Sequence, residues 1–387
     1  MERLLIKNAK IVTRNRVMEG SLLALDGRVA ALGVHIEAEV DSEFDAHGSF
    51  LSPGFIDIHN HGRMGFDVMD AKPESIENIA IDQLKHGVTG FLATTDTAEK
   101  KRLWQAVNAA AEFCKADRNA DKPRKGARCL GIYVEGNYIS MKKRGAHPPE
   151  LLRPIAQENL NTLLSAGNGN IRVMAFAPEL PGSLDAIRHL RSVGVVAAAA
   201  HTDATFDEAM DGINTGVTLA THTFNSMRAM THRDPSVIAA CLLDDRVTCE
   251  VIADGTHLDP AILQIIYRLK GPDRVALISD SVRYNGLPDG QYDRDDGRTV
   301  TVKKGVIRLE DGRLVGSSLS MNEAVRNITR LTDVPLCHAV RMASLVPARI
   351  IGEVAKGGLD VGKDADMILF DEDINIEAAF IGGRRII

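Results

Sequence analysis

The chain has 387 residues, 44% of them hydrophobic and 25% charged, and a net charge of −6. That length accommodates one large α/β domain with a small accessory domain, and the composition is that of a packed globular core. No Lys/Arg block is long enough for a nucleic-acid groove, and no apolar run is long enough to span a membrane.

The opening MERLLIKNAKIV has no signal-peptide pattern. The first 50 residues read as short strands with turns: LLIKNAKIV, then SLLALDGRVAAL with Asp26-Gly27 as the turn signal, then EFDAHGSF. The middle changes character. Short apolar runs recur, each followed by a polar stretch and a helical pattern: GFIDIH (54–59), GVTGFLATT (87–95), RCLGIYVEG (128–136), IRVMAFAPE (171–179), VGVVAAAAH (193–201), GVTLATH (216–222), RVTCEVIADG (246–255) and RVALISD (274–280). Apolar strands alternating with helices indicate a parallel sheet covered on both faces. About eight such units predict a (β/α)₈ TIM-like barrel, with a doubly wound open sheet as the alternative. The densest basic stretch, Lys115 to Arg128, is interrupted by acids and reads as solvated surface. The last 30 residues are again β-rich, with GLDVGKDADMILFDED and AAFIGGRRII. The expected organisation is a small β-sandwich domain from 1–50 and 345–387, around a barrel over 51–344. The five cysteines (Cys114, Cys129, Cys241, Cys249, Cys337) are an odd number without a CxxC pair, as in a reduced, cytoplasmic protein.

Metal-competent residues sit at the C-terminal ends of the apolar runs: His59, Glu135, Glu179, His201, His222 and Asp280. In a barrel those ends converge on one mouth. His59 and His61 lie two apart, so a strand directs both imidazoles to one face, where they can share an ion. Glu135 closes CLGIYV, and a carboxylate beside buried apolar residues is costly unless paired or metal-bound. His201 follows four alanines that leave room for a ring and a metal, and His222 ends LATH. Asp280 ends VALIS and can bind a metal or take a proton from water. Imidazole and carboxylate without thiolate suit Zn²⁺ first, with Fe²⁺, Co²⁺ or Mn²⁺ as alternatives. The set is large enough for two divalent ions bridged by Glu135, although one is possible.

At these residues the sequence resembles the amidohydrolase superfamily and, within it, the N-acetylglucosamine-6-phosphate deacetylase family. PGFIDIHNHG is similar to the superfamily's first-strand motif. YVEGNYIS, KKRGAHPPE, HTDAT, ATHTFNSM, THRDP, IADGTHL, GLPDGQY and GSSLSM, in that order, resemble the deacetylases. The resemblance implies that Glu135, His201 and His222 hold the principal metal, and that His59 and His61 add a second. Asp280 would act as general base and then acid, and His147, in RGAH, would lie near the acetyl carbonyl. Asn225, Ser226, Arg233 and His257 would bind a sugar phosphate, part of that set reaching in from the other subunit of a homodimer.

The chain departs from the family's pattern at Asn137, at Ser279 and Ser281 around Asp280, at Arg283-Tyr284, and at Asp234 and Ser236 on either side of Pro235. Arg283 is expected to contact the sugar ring or to form a salt bridge in a loop. The implied reaction is metal-assisted hydrolysis of the acetamide of an N-acetyl amino-sugar 6-phosphate. The alternatives are the galactosamine counterpart or an unphosphorylated sugar, another amidohydrolase, or a metal-binding scaffold without turnover.

Overall fold

The computed structural model describes residues 2–119 and 125–387, so part of the basic stretch at 115–128 lies outside the described residues. Eight strands run parallel and in sequence order: Phe55–Asn60, Val88–Thr94, Arg128–Val134, Ile171–Phe176, Val196–Ala199, Val217–Ala220, Thr248–Val251 and Val275–Leu277. The sheet closes on itself. Asp280 N–H donates to His59 O at 3.0 Å, His61 N–H donates to Ser281 O at 2.8 Å, and Asn60 bridges Ser281 in parallel. Closure decides for the barrel over the open sheet.

Alternation along the strands sorts the core into two clusters separated by the barrel wall. Ile56, Leu92, Tyr133, Val173, Ala198, Leu219 and Ile278 pack together inside. Their neighbours in sequence, such as Phe55, Phe91, Val134, Phe176 and Leu277, join the cluster that packs against the helices. Helices connect successive strands: Pro73–Lys85, Lys100–Arg118, Gln157–Gly167, Ser183–Ser192, Phe206–Thr215, Ser236–Leu243 and Pro260–Lys270, with Met321–Leu331 after the eighth strand. Local chemistry starts several of them. Thr205 and Glu208 cap one another at Phe206, and the Asp259 side chain accepts from Ala261 N–H just before Pro260 at the first helical position.

Both chain ends meet in a second sheet of eight strands. Arg3–Val12 holds Ser42–Asp45 along its first half and Phe50–Leu51 along its second, with an irregularity between Ile6 and Ala9. The sheet therefore splits and folds over its own apolar cluster, in which Phe44 meets Phe380 edge to face, centroids 5.5 Å apart. The C-terminal strand Met367–Phe370 pairs antiparallel with Phe50–Pro53, directly before the first barrel strand. A third sheet of three strands, Gly290–Asp293, Thr299–Lys303 and Val306–Leu309, is inserted between the eighth strand and its helix.

Ile56 is 1% exposed and sits inside the barrel away from its polar rim. Ile56→Ala should cost about 2–5 kcal/mol of stability. The check is a lower urea midpoint at unchanged slope; an unchanged midpoint would mean that this layer is not packed.

Candidate metal centre and active site

The site lies at the C-terminal rim of the barrel. The first strand ends in His59-Asn60-His61, and the two Nε2 atoms lie 3.2 Å apart. Glu135 follows the third strand, His201 the fifth, His222 the sixth and Asp280 the eighth. His201, His222 and Asp280 have φ of 44°, 29° and 49°. Left-handed backbone is uncommon for residues with a Cβ and costs about 1–3 kcal/mol at each position. Here it breaks the strand's alternation just past its end, so that the side chain can cross the mouth.

Glu135 joins two groups. Its Oε2 lies 3.5 Å from His59 Nε2 and 3.3 Å from His61 Nε2. Its Oε1 lies 3.2 Å from His222 Nε2 and 3.7 Å from His201 Nε2. Asp280 Oδ1 completes the first group, at 3.5 and 3.3 Å from His59 and His61. On the other side His201 and His222 bring their Nε2 atoms to 3.1 Å, and His147 Nε2 is 3.3 Å from that of His201. Facing nitrogen lone pairs at such distances repel unless a proton or a cation lies between them. Zinc–nitrogen bonds of ~2.0–2.1 Å in a tetrahedron set ligand–ligand edges of ~3.3 Å. The donor set therefore fits divalent ions, in two groups: His59, His61 and Asp280, and Glu135 with His201 and either His147 or His222.

The electrostatics agree. Burial pushes the Glu135 carboxyl up, but His59, His222 and His61 outweigh it and hold it well below the usual carboxylate range. Burial, then the adjoining His147 and His222, brings His201 down to about 3, leaving the neutral ring that a metal needs. Burial also lowers His61, yet Asp280 and Glu135 override it and raise it to about 10. The carboxylates demand positive charge between them, which a divalent cation supplies.

The outer nitrogens of two imidazoles are tied down. His59 Nδ1 is 3.0 Å from Glu250 Oε2, and His201 Nδ1 is 2.9 Å from Lys143 O. Carboxylate and carbonyl oxygens only accept, so both Nδ1 atoms carry the proton and both Nε2 lone pairs face the site. Glu250 Oε2 also accepts from His222 N–H at 3.2 Å, so one buried carboxylate braces ligands on both sides of Glu135.

A cavity of about 270 Å³ opens over these groups, lined by His147, Asn225, Ser226, His257 and Asp280, and by Arg294 and Arg313. His257 is oriented by Asp254, Nδ1 to Oδ2 2.6 Å. Gly145 allows the loop carrying His147 to lie close: a Cβ there would stand 2.8 Å from Ser226 Oγ and 3.1 Å from His201 Cε1. A larger cleft of about 780 Å³ lies by the terminal sheet and contains none of these imidazoles.

Three expected residues lie elsewhere. Arg233 is exposed and outside the cavity, and its neighbour Asp234 is taken by Arg228 at 2.7 Å. Arg283 borders an adjoining cavity of about 200 Å³. Its guanidinium is held by Asp70 at 2.6 Å, Asp67 at 3.2 Å and Asp295 at 3.5 Å. Glu179 turns away from the imidazoles and accepts from Thr202 Oγ1 at 2.6 Å and Asp203 N–H at 2.7 Å, behind His201. Conversely, sequence reasoning missed Glu250, Asp96, Arg294 and Arg313. Glu250 was detectable as a lone acid inside TCEV, and Asp96 as the polar residue past the second strand. The two arginines, carried by or just after the inserted sheet, gave no signal.

A rim of imidazoles around a bridging carboxylate, at the mouth of a closed (β/α)₈ barrel, defines a divalent-metal hydrolase. The sequence model of the amidohydrolase family matches residues 50–386, and the chain belongs to that family. Its sequence is 36% identical to N-acetylgalactosamine-6-phosphate deacetylase of Escherichia coli O157:H7, covering 93% of this chain and 92% of that one. It is also 36% identical to N-acetylglucosamine-6-phosphate deacetylase of Bacillus subtilis (strain 168), covering 97% and 95%. A mutant N-acetyl-D-glucosamine-6-phosphate deacetylase from Mycobacterium smegmatis, solved in complex with N-acetyl-D-glucosamine-6-phosphate, superposes with a TM-score of 0.92 at 32% identity, covering 100% of both chains. The protein is a hydrolase acting on amide bonds.

Removing both His59 and His61 as alanines should leave about one ion per chain where the parent holds up to two, by elemental analysis. Glu250→Gln should weaken metal retention against a chelator about 10–100-fold. A double mutant as metal-rich as its parent would exclude the two histidines as ligands.

Proposed function

We propose that the protein removes the acetyl group from an N-acetyl amino-sugar 6-phosphate, N-acetylglucosamine 6-phosphate first, releasing acetate and the free amino-sugar phosphate. The observation that carries this reading is Asp280, a buried carboxylate 3.3 Å from His61 at the edge of a metal-competent rim and open to the cavity. The relatives named above act on sugars of that kind by their names. N-acetylgalactosamine 6-phosphate is the second reading, favoured by the E. coli relative at equal identity.

Glu135, His201 and His222 would hold one ion, and His59 and His61 a second, with zinc the metal that best suits the donors. A bound divalent ion polarises an amide carbonyl and lowers the pKa of water from about 15.7 to about 7. Burial raises the Asp280 carboxyl, but His61 and His59 outweigh it and keep it ionised, so it can accept a proton from the attacking water. The same group then returns the proton to the departing nitrogen, without which the amine is a poor leaving group. His147 also lines the cavity and would face the acetyl carbonyl oxygen. Asn225, Ser226 and His257 would bind the phosphate. Arg233, whose guanidinium has no partner among the described residues, would complete a neighbouring subunit's phosphate site in a homodimer. Five unpaired buried cysteines support a reducing, cytoplasmic setting.

Acetate release from a panel of N-acetyl hexosamines, with and without the 6-phosphate, tests the reading. Asp280→Asn should keep the fold and most of the bound metal but lose nearly all turnover; wild-type turnover in a metal-loaded mutant would exclude Asp280 as the proton carrier.

The shared phosphate site has its own test. Arg233→Ala should raise KM for the phosphorylated substrate far more than for the free sugar. Mixing Arg233→Ala with Asp280→Asn subunits should restore activity, because one mixed site carries both intact residues. No recovery in verified heterodimers would mean that each chain supplies its own phosphate contacts.

A further inference from the structure

Unlike His59, His61, His201 and His222, His147 is not placed by a strand end. It stands on the loop between the third strand and the helix Gln157–Gly167. Two arginines of the inserted sheet hold that loop by consecutive carbonyls. Arg313 Nη1 donates to Gly145 O at 2.7 Å, and Arg298 Nη2 donates to Ala146 O at 2.5 Å. A guanidinium has five N–H donors, so each can also be aimed by a carboxylate. Asp311 accepts from Arg313 Nε at 2.8 Å, and Asp296 accepts from Arg298 Nη2 at 2.6 Å. Ala146 itself packs on the small apolar cluster of the insert. On its other face the loop lies against the barrel rim at Gly145, where a Cβ would stand 2.8 Å from Ser226 Oγ.

The same insert grips the turn that carries Asp280. Arg313 opens a short segment that ends at Ser317. It is tied to the insert by Leu309 N–H to Arg313 O at 2.9 Å and by Val315 N–H to Ile307 O at 3.0 Å. At its far end Ser317 N–H donates to Asp280 O at 2.8 Å, and Ser317 bridges Ser281 in parallel. Gly316, with φ 48°, comes so close that a Cβ would lie 2.7 Å from Asp280 O. Val282, two residues after Asp280, packs on the same apolar cluster as Ala146. One segment therefore runs from the Gly145 carbonyl to the Asp280 carbonyl, and its residues from Arg313 to Gly316 line the active cavity.

We infer that the inserted sheet is a clamp that holds His147 and Asp280 at a fixed separation in the active cavity, with Arg298 and Arg313 as its positioning residues. The grip is on backbone carbonyls and an alanine methyl, so it sets where the His147 ring stands and leaves its protonation alone. A reaction that uses Asp280 for the proton and His147 at the carbonyl needs both in place at once. The rate measurements rest on the deacetylase reading; the exchange measurement does not.

The test uses the zinc-loaded enzyme. The Arg298 and Arg313 side chains are 30% and 38% exposed, so their removal should leave the fold intact. Arg298→Ala combined with Arg313→Ala should lower kcat about 10–100-fold, the scale of a displacement of about 1 Å at reacting groups, with KM within about threefold and metal content unchanged. Arg298→Lys combined with Arg313→Lys keeps a donor for each carbonyl and should recover part of that loss. Amide hydrogen exchange over 139–148 should lose protection in the alanine pair, while that of the strand Arg128–Val134 stays parental. Parental kcat in the alanine pair would overturn the inference. So would a rise in KM confined to the phosphorylated substrate at unchanged kcat, which would put Arg313 on the substrate instead. Metal lost together with activity would overturn it too, since the arginines would then serve metal retention. If the parent releases acetate from no sugar, the functional reading fails and exchange alone decides: lost protection sustains the clamp, and parental protection overturns it.

Discussion

The structure of the rim depends on where one carboxylate is buried. Glu135 is 2% exposed, and each of its oxygens faces a separate pair of imidazoles. A carboxylate at such depth is tolerable only among groups that return the lost hydration energy. That requirement explains the four histidines from three different strand ends, and it explains Glu250, which directs His59 inward and accepts from the backbone N–H of His222. It also accounts for left-handed backbone at His201, His222 and Asp280: regular strand geometry would not send these three side chains over the same mouth.

Much of this was legible in the sequence because it rests on local pattern. Eight apolar runs with polar ends predict the strands, and placing the ends at one mouth brings Glu135, His201, His222, His59, His61 and Asp280 together. Glu179 obeyed the same rule and did not join them, because position past a strand does not say which way the next turn sends the side chain. Glu179 supports the backbone after His201 instead. Glu250 escaped because it lies within its strand rather than beyond it. Arg233 was expected from the family resemblance, and Arg283, a departure from the family's pattern, from its place just after Asp280. The second is enclosed by three carboxylates, two of them from the short segment after the first strand, a pairing between residues some 215 positions apart that no spacing rule reveals.

The inserted sheet between the eighth strand and its helix was the least legible part. Its strands are short, and its small apolar cluster of Tyr284, Val300, Val302, Ile307, Leu309 and Val315 gives no strong period. Yet it reaches the site. Arg313, just after it, donates to Gly145 O at 2.7 Å, and Arg294, next to its first strand, reaches Asp96. Loops on a rigid barrel ordinarily carry the chemistry. Here an added element also holds the loop that carries it.

The joining of both chain ends in one sheet affects how the molecule is made. Phe50–Pro53 leads straight into the first barrel strand, yet its antiparallel partner Met367–Phe370 is synthesised roughly 300 residues later. Until then the nascent chain displays an open strand edge, the kind of surface that invites pairing with another molecule. When the late strand arrives, it covers that edge beside the segment bearing His59 and His61. Assembly of the accessory sheet is thereby tied to anchoring of the metal-binding strand, and a chain stopped short of residue 367 would carry every proposed metal ligand while lacking the partner of the strand that leads to two of them.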